Sequence, residues 1–420
     1  MTRCKLEIIF LLLLILSGCS SIRVIPSPQP APEEIQTPTL PVPTETETLS
    51  GTSTPEADYP KGCVDLATTT LDGTGPDGLF VMRDERLNNY FLDPKSNKLS
   101  DLGEERNSVA FFAISPNRKF ILAGSAETCT NGECRYILRT AEKIIKNSIL
   151  IPEDWFATRW LDNERVIVVS RLQQNDVKVL NPFSGDQTNV HMDLRNPYTI
   201  EAGRFERVAP TSLDASLKRV VFNERDGTLI LWNLDAHEVI ASLPLADAVS
   251  SFDSNLWSLD GRKFVTTSPN APLWATPPVE SLWAANELFT LGVDGNLAQL
   301  TNYNHEYQFA NVSNPSWSPD NRHIGFWLKV GDANSDPENL RQWLAIIDTS
   351  TFETKIYCLS FSIPSLPAFP LVWSPDGEQL IANTRLPNGD VRPTLVNLTD
   401  QTQALISSAQ GMFVENWVKQ

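Results

Sequence analysis

The fold follows from one stretch of the sequence, Trp373-Ser374-Pro375-Asp376-Gly377-Glu378-Gln379-Leu380-Ile381-Ala382. A tryptophan leads into a short turn that proline and glycine favour, and the turn leads into an apolar strand. Related copies recur upstream, and their leading residues are Ile114, Trp160, Thr211, Trp257 and Trp317. Neighbouring copies lie 46 to 60 residues apart, a period typical of propeller blades built from four short strands. The sequence therefore predicts an all-β fold made of repeated blades.

The two ends of the repeat region complement each other. Three strand-like segments at 79–82, 89–92 and 98–102 lack a leading strand, whereas 411–418 has the pattern of a leading strand with no blade behind it. Pairing the C-terminal strand with the N-terminal three would complete one more blade and remove both free sheet edges. We therefore expect a closed, monomeric, seven-bladed β-propeller.

The repeated motif carries a family resemblance. Trp-Ser-Pro-Asp-Gly at Trp373, with related forms at Trp317 and, with Leu259 in place of proline, at Trp257, resembles the repeat of the TolB-like propellers. Residues 226–234 are similar to the corresponding strand of WD-repeat proteins. The resemblance covers roughly residues 64–420 and implies a propeller fold there, without specifying a ligand or an activity.

The N-terminus has the pattern of a bacterial export signal. Basic residues at positions 3 and 5 precede nine apolar residues at 8–16, and nine residues are too few for a helix that spans a bilayer, which needs about 20. Leu16-Ser17-Gly18-Cys19 resembles the lipobox of bacterial lipoproteins. That resemblance implies a signal peptide at 1–18 and a diacylglycerol, with further acyl chains such as palmitate, on Cys19. The alternative is an uncleaved membrane anchor.

Residues 19–62 are expected to form a stalk between the lipidated cysteine and a propeller domain at 63–420. Proline, threonine, glutamate and serine dominate 26–60, with too few large apolar residues for a core, so we expect a disordered, semi-extended segment. The predicted location is the cell envelope, on the outer face of the plasma membrane or on the outer membrane.

The charge balance limits the classes of partner. The formal net charge is −17 and no cluster of Lys or Arg provides a local exception. Such a surface repels phosphate backbones, which argues against nucleic-acid binding and against adhesion to anionic lipid by charge alone. The expected contact with the membrane is therefore through the lipid.

Four cysteines follow Cys19 in the sequence. Cys129 and Cys134 flank an Asn-Gly pair typical of a two-residue hairpin turn, so a disulfide is predicted between them, against the alternative of two free thiols. Cys63 and Cys358 remain, and the sequence leaves open whether they pair with each other.

Motifs for catalysis or cofactors are weak. Residues 73–78 match G-x-G-x-x-G, but Pro76 interrupts the motif and a strand follows it, which favours a turn over a dinucleotide loop. The four histidines, His191, His237, His305 and His323, lack metal-ligand spacing. Residues 332–338 place oxygen ligands at calcium-like spacing without the rest of the calcium-loop pattern, so they are interpreted as a solvated loop, with calcium as the alternative. No catalytic residue, metal or cofactor is predicted.

Two groups of residues are candidates for binding. Two insertions join second and third strands and would therefore open on one face, and loop tryptophan and arginine commonly anchor interfaces; the alternative is that they cap the blades. These candidates are Trp274, Trp283, Arg341 and Trp343. The other group lies near the N-terminal ends of leading strands and consists of Glu153, Asp154, Glu206, Arg207, Asp253 and Glu415. Carboxylates there could act as acid and base on a glycan, or merely solvate the blade ends.

The first functional hypothesis is a lipid-anchored extracytoplasmic binding or scaffold protein whose propeller face contacts a protein, a peptide or a glycan. The alternative is a carbohydrate-active hydrolase or lyase that uses the carboxylates at the strand ends. A third possibility is a purely structural role in an envelope complex.

Overall fold

A computed structural model describes most of the repeat region. The described residues are 62–71, 75–84, 89–101, 109–170, 176–194, 199–202, 205–208, 212–244, 246, 256–269, 286–307, 309–331, 342–359, 371–385, 391–406 and 412–419. The chain divides into two compact units, Met1–Glu56 and Ala57–Gln420, and every described residue belongs to the second. The predicted signal peptide, Cys19 and nearly all of the stalk lie outside the described residues.

The described part is almost entirely β-structure. Its strands are β1 Val64–Asp65, β2 Ala67–Thr69, β3 Leu79–Asp84, β4 Asn89–Asp93, β5 Lys98–Asp101, β6 Val109–Ile114, β7 Ile121–Thr130, β8 Glu133–Arg139, β9 Ile145–Pro152, β10 Trp155–Trp160, β11 Val166–Ser170, β12 Asp176–Leu180, β13 Gln187–His191, β14 Thr199–Ala202, β15 Phe205–Val208, β16 Ser212–Leu213, β17 Arg219–Asn223, β18 Leu229–Asn233, β19 Glu238–Leu243, β20 Lys263–Pro269, β21 Asn286–Gly292, β22 Leu297–Gln299, β23 Phe309–Trp317, β24 His323–Gly331, β25 Gln342–Asp348, β26 Thr354–Cys358, β27 Val372–Trp373, β28 Gln379–Arg385, β29 Val391–Asn397, β30 Thr402–Leu405 and β31 Met412–Val418. One helix, α1, spans Tyr303–Glu306. Within the described ranges no helix is long and apolar enough to cross a bilayer.

Seven antiparallel sheets form the blades of a propeller. Blades 1, 2 and 3 are β6–β9, β10–β13 and β16–β19, blade 4 is β20–β22, and blades 5 and 6 are β23–β26 and β27–β30. Blade 7 has the order β31-β3-β4-β5. Blade 4 has three strands, and at its inner edge Trp257 forms an isolated β-bridge with Phe264 where the other blades have an inner strand. The all-β, seven-bladed prediction is confirmed.

Blade 7 is built from both ends of the repeat region. β31 pairs antiparallel with β3, and Phe80 lies opposite Trp417 in the register. Their rings meet edge to face with centroids 4.7 Å apart, a favoured aromatic geometry. The composite closing blade predicted from the sequence is therefore confirmed.

At each of the seven blade interfaces a hydrophobic cluster packs one blade against the next. The cluster between blades 7 and 1, for example, packs Val81 and Phe91 against Ile114 and Ile121. Equivalent clusters join blades 1 to 2, 2 to 3, 3 to 4, 4 to 5, 5 to 6 and 6 to 7. Each blade thus buries both of its faces against its neighbours, so a single blade could not form this core alone.

The turn after the inner strand has one conformation in five of the six internal blades. In two of these blades the serine of the motif donates to an aspartate two positions on: Ser374 Oγ to Asp376 Oδ1 (2.5 Å) and Ser258 Oγ to Asp260 Oδ1 (2.6 Å). The backbone reaches positive φ at the same place in each turn: Arg118, Leu217, Gly261, Asn321 and Gly377. The turn after Trp160 differs, because it is closed by a hydrogen bond from Leu161 N–H to the carbonyl oxygen of Arg165 (2.8 Å).

An unpredicted feature is the path of the chain before blade 7. β1 pairs in parallel with the outer strand of blade 5, and β2 pairs in parallel with the outer strand of blade 6. Leu66 lies between them, buried in the cluster that joins those blades. Cys63 and Cys358 form a disulfide, which decides the pairing that the sequence left open. The predicted Cys129–Cys134 disulfide is also present, at a hairpin whose Asn131 and Gly132 both have positive φ.

A second unpredicted feature lies between blades 2 and 3, where β14 and β15 pair as a separate two-stranded sheet. Glu206 and Arg207 lie in β15, and residues 209–211, which join β15 to the inner strand β16 of blade 3, lie outside the described residues. Their place at the entry end of that inner strand stays a prediction.

Candidate functional site

Several candidate residues predicted from the sequence lie outside the described part of the chain. These are Cys19, Asp253, Trp274, Trp283, Arg341 and the possible calcium loop at 332–338. Asp154 lies in the turn between β9 and β10 and is partly exposed. A carboxylate pair formed by Asp154 with Glu206 or Asp253 stays a prediction.

Trp343 lies in β25 and packs inside the cluster between blades 4 and 5. Its side chain is only 8% exposed. This burial favours the alternative considered from the sequence, in which the tryptophan packs within the blades. The leading tryptophans Trp257, Trp317 and Trp373 are expected from the repeat to pack in the core; Trp317 and Trp373 are buried, whereas Trp257 is only partly buried.

The structure brings together a site that the sequence had not indicated. We call it the axial pocket, a cavity of about 120 Å³ at the ends of the inner strands of blades 1–5. Its walls come from the turns that carry the repeated motif. The residues used below to define it are Arg118, Arg159, Trp160, Trp257, Trp317 and Ser318.

Arg159 reaches the pocket from β10 and is 5% exposed. Its Nη2 donates to the carbonyl oxygen of Leu213 (2.7 Å) and makes a longer contact to Ser212 Oγ (3.4 Å). Its Nη1 contacts the carbonyl oxygen of Trp160 at 3.4 Å. All three acceptors are uncharged, so these contacts hold the guanidinium without neutralising it.

Arg118 reaches the pocket from the turn of blade 1 and is 8% exposed. Its backbone has φ 62°, the left-handed region that glycine occupies in the corresponding turn of blade 6. Its Nη1 donates to Asn416 Oδ1 on the closing strand β31. This acceptor is also neutral.

Both guanidinium groups remain cationic at neutral pH. Burial alone lowers the pKa of Arg118 to about 10 and that of Arg159 to about 10, because removal from water disfavours the charged form. Among the described residues no carboxylate pairs with either group. Asp162, the acidic side chain on the pocket wall, is paired with Arg165 at 2.5 Å.

Unpaired donors accompany the two cations. In the described part of the chain, four buried polar atoms of the pocket residues have no hydrogen-bond partner: Arg118 Nε, Trp160 Nε1, Trp317 Nε1 and Ser318 Oγ. Trp257 differs, since its Nε1–H donates to Ser212 Oγ (2.8 Å). Buried polar groups are nearly always paired in folded proteins, so such a concentration of donors around one cavity marks a candidate binding site.

One sequence signal could have indicated these residues. In the register of the repeats, Arg159 stands where Ala113, Leu256, Ser316 and Val372 stand in other copies. A charge at a position that is otherwise uncharged is a departure from the blade pattern.

Metal binding finds no support in the part of the chain that the structure covers, where no group of three or more His, Cys, Asp or Glu side chains is arranged to hold an ion. His191 lies 2.8 Å from Asp176 and His323 lies 2.5 Å from Asp320, both as pairs within a single blade.

No protein-family model and no curated protein sequence matches this chain. Several solved structures are similar to it. An oligogalacturonate lyase in complex with manganese is 12% identical, with a TM-score of 0.47 over 78% of this chain and 83% of that one. An oligogalacturonate lyase from Vibrio parahaemolyticus is 10% identical, with a TM-score of 0.45 over 81% and 86%. TolB from Acinetobacter baumannii is 14% identical, with a TM-score of 0.38 over 83% and 68%. Similarities of this size assign no ligand and no activity.

Proposed function

We propose that this chain is a lipid-anchored, extracytoplasmic binding protein whose propeller holds a loop-bearing face away from the membrane. The lipid on Cys19 provides the anchor, the proline-rich segment provides the distance, and the rigid ring presents the loops. The partner is a protein, a peptide or a glycan. The chain acts through this face as a binding or scaffold module.

The observation that carries the proposal is the disulfide between Cys63 and Cys358. Cys63 directly follows the proposed stalk, and Cys358 ends the outer strand of blade 5. Disulfides persist in oxidising compartments outside the cytoplasm, which supports an envelope location. A force applied to the stalk would be borne by this covalent bond to blade 5. The hydrogen bonds that pair β1 with the edge of the sheet would therefore stay intact.

The paired strands support a common face for the two insertions. β20 and β21 are in register from Lys263–Gly292 to Pro269–Asn286, so the segment 270–285 starts and ends at one end of blade 4. β24 and β25 likewise connect through 332–341 at the corresponding end of blade 5. Trp274 and Trp283 belong to the segment 270–285, and Arg341 is the last residue of the segment 332–341. We propose that these three residues contact the partner.

The anchor is tested by cell fractionation of the full chain. We expect the wild-type protein in the membrane fraction and the Cys19→Ala variant outside it. A Cys19→Ala variant that stays as firmly membrane-bound as the wild type would contradict the lipid anchor.

The binding face is tested by recovering envelope partners with the purified chain. We expect Trp274→Ala and Trp283→Ala together to reduce the recovered partner strongly. Phe352→Ala, which removes an exposed aromatic ring at the β25–β26 turn, serves as the matched control and should leave recovery unchanged. Equal recovery by all variants would exclude these loops from the contact.

A further inference from the structure

We propose that the axial pocket binds the carboxylate or phosphate group of a small ligand, with Arg118 and Arg159 as its cationic anchors. The site lies at the turns that follow the inner strands, at the opposite ends of the blades from 270–285 and 332–341. It is therefore separate from the proposed partner-binding face and does not depend on that function.

The first reason to expect an anion in the pocket is the positive charge of the two arginines. A buried cation is costly unless an opposite charge accompanies it, and arginine is not relieved by losing its proton at physiological pH. Arg118 and Arg159 line the same cavity with no carboxylate partner among the described residues. An anion in the cavity would supply a countercharge that the described residues lack.

A structural role in bracing the ring does not explain the unpaired charge. Arg159 joins blade 2 to blade 3 through the carbonyl oxygen of Leu213 (2.7 Å). Arg165 joins the same two blades through the carbonyl oxygen of Ala215 (2.6 Å), and its charge is balanced by Asp162. The chain thus contains a brace of the same kind that is neutralised internally, whereas Arg159, a residue of the pocket wall, has only uncharged acceptors.

Hydrogen-bonding capacity is the second reason. A guanidinium offers five N–H donors in a planar fork that matches the oxygens of a carboxylate or phosphate. In Arg118 only Nη1 has a side-chain acceptor, and Nε has none in the described structure. The pocket-lining residue Trp317 adds an indole N–H without a hydrogen-bond partner, and donors without acceptors select for a ligand rich in oxygen.

Size limits the ligand. The cavity volume of about 120 Å³ is somewhat smaller than a cavity of about 150 Å³ that holds a benzene molecule. The pocket therefore admits inorganic phosphate, a carboxylic acid of a few carbon atoms, or the anionic end of a larger molecule. Trp160, Trp257 and Trp317 on the wall would contact the apolar part of such a ligand.

The experiment measures thermal unfolding of the purified chain, residues 19–420, with increasing phosphate, acetate or succinate at constant ionic strength set with chloride. Binding to the folded state alone should raise the Tm saturably, by about 3 °C at a hundredfold excess over Kd for a domain of this size. A response to phosphate alone identifies a phosphate site, and a response to the carboxylates alone identifies a carboxylate site.

Two variants make the result specific. Arg159→Met should weaken binding by about tenfold or more, because a hydrogen-bonded charge is lost. The double variant Asp162→Asn/Arg165→Met, which removes both charges of the neutralised brace, should lower the Tm without anion but keep the anion-dependent rise. The proposal is overturned if the wild type shows no saturable rise above chloride with any of the three anions, or if both variants retain the wild-type rise.

Discussion

Position 377 shows how a neighbouring turn can require a glycine. Its φ is +78°, and a Cβ built there would lie 2.6 Å from Ser318 Oγ in the adjacent turn of blade 5. Four other blades reach positive φ at the corresponding place, three of them with residues that carry a side chain. The left-handed backbone alone is thus tolerated in this turn, whereas close packing against Ser318 is particular to blade 6.

We predict that Gly377→Ala lowers the free energy of unfolding by more than Gly227→Ala does. Gly227 has a similar φ of +85° but open space around its missing Cβ. Both variants carry backbone strain of about 1 kcal/mol, and only the first adds a steric clash. Urea unfolding of both variants measures the difference. Equal losses in the free energy of unfolding would show that the turn with Ser318 moves aside without cost, and would contradict the prediction.

Asp348 is the centre of a polar network at the end of β25. Arg322 donates Nε–H to its Oδ2 (2.8 Å), and the backbone N–H of Ser350 donates to its Oδ1 (2.8 Å). The hydrogen bonds from Arg322 and Ser350 hold the pKa of Asp348 well below its usual range. The ionised carboxylate is therefore the form that the folded state stabilises.

Acid stability should depend on this carboxylate. Because its pKa is lower in the folded than in the unfolded state, its contribution is present above about pH 4 and is lost as the pH falls further. We predict a shallower fall in the free energy of unfolding between about pH 5 and pH 2 for Asp348→Asn than for the wild type. Asp65→Asn, which removes an exposed aspartate of β1, is the charge control and should follow the wild-type curve.

At the scale of elements, β1 and β2 act as a strap across the outer edges of blades 5 and 6. Edge strands expose unpaired backbone groups, and a parallel strand laid along each edge covers them. The strap is held by Leu66 in the interblade cluster, by Gln403 Nε2–H donated to the carbonyl oxygen of Leu66 (3.1 Å), and by the Cys63–Cys358 disulfide. Two very short strands are thus stabilised by contacts that do not come from strand pairing alone.

The two disulfides should differ in their effect on stability. The Cys63–Cys358 bond joins residues 295 positions apart, and the Cys129–Cys134 bond joins residues 5 apart. Because a longer closed loop loses more entropy in the unfolded state, the chain-entropy relation gives about 5–6 kcal/mol for the first and about 2 kcal/mol for the second. Replacing each pair by serine and measuring guanidinium unfolding checks this order. A larger loss from the 129–134 pair would contradict it.

At the scale of the whole molecule, the last strand holds the ring together. β31 brings Trp417 into the cluster between blades 6 and 7, and the indole N–H donates to the carbonyl oxygen of Asp77 (2.9 Å). Val418 of the same strand packs in the cluster between blades 7 and 1. One seven-residue strand thus contributes to two of the seven interfaces.

We predict that Trp417→Ala destabilises the entire ring and not blade 7 alone. The side chain is 1% exposed, and truncation of a buried tryptophan costs about 3–5 kcal/mol. Phe352→Ala, at a ring that is 59% exposed, should stay within about 0.5 kcal/mol of the wild type. Circular dichroism and tryptophan fluorescence should report one coincident transition for Trp417→Ala. Separate transitions would show that blade 7 unfolds by itself.

The sequence by itself determined the parts of this protein that depend on local patterns. Turn residues at a regular period predicted the blades, an unmatched strand at each end predicted the closing blade, and an Asn-Gly pair between two cysteines predicted the hairpin disulfide. These predictions succeeded because turn chemistry and strand alternation act over a few residues, and because ring closure is the simplest way to pair the leftover strands.

Only the tertiary structure decided the features that need distant residues to meet. The strap formed by β1 and β2, the Cys63–Cys358 bond and the axial pocket all depend on how the blades are arranged around the ring. Arg118 meets Asn416 across 298 positions of sequence, and no local pattern encodes such a contact. The charge of Arg118 and Arg159 is visible in the sequence, but burial without a carboxylate partner, which makes them a candidate anion site, arises only when five inner strands converge on one axis.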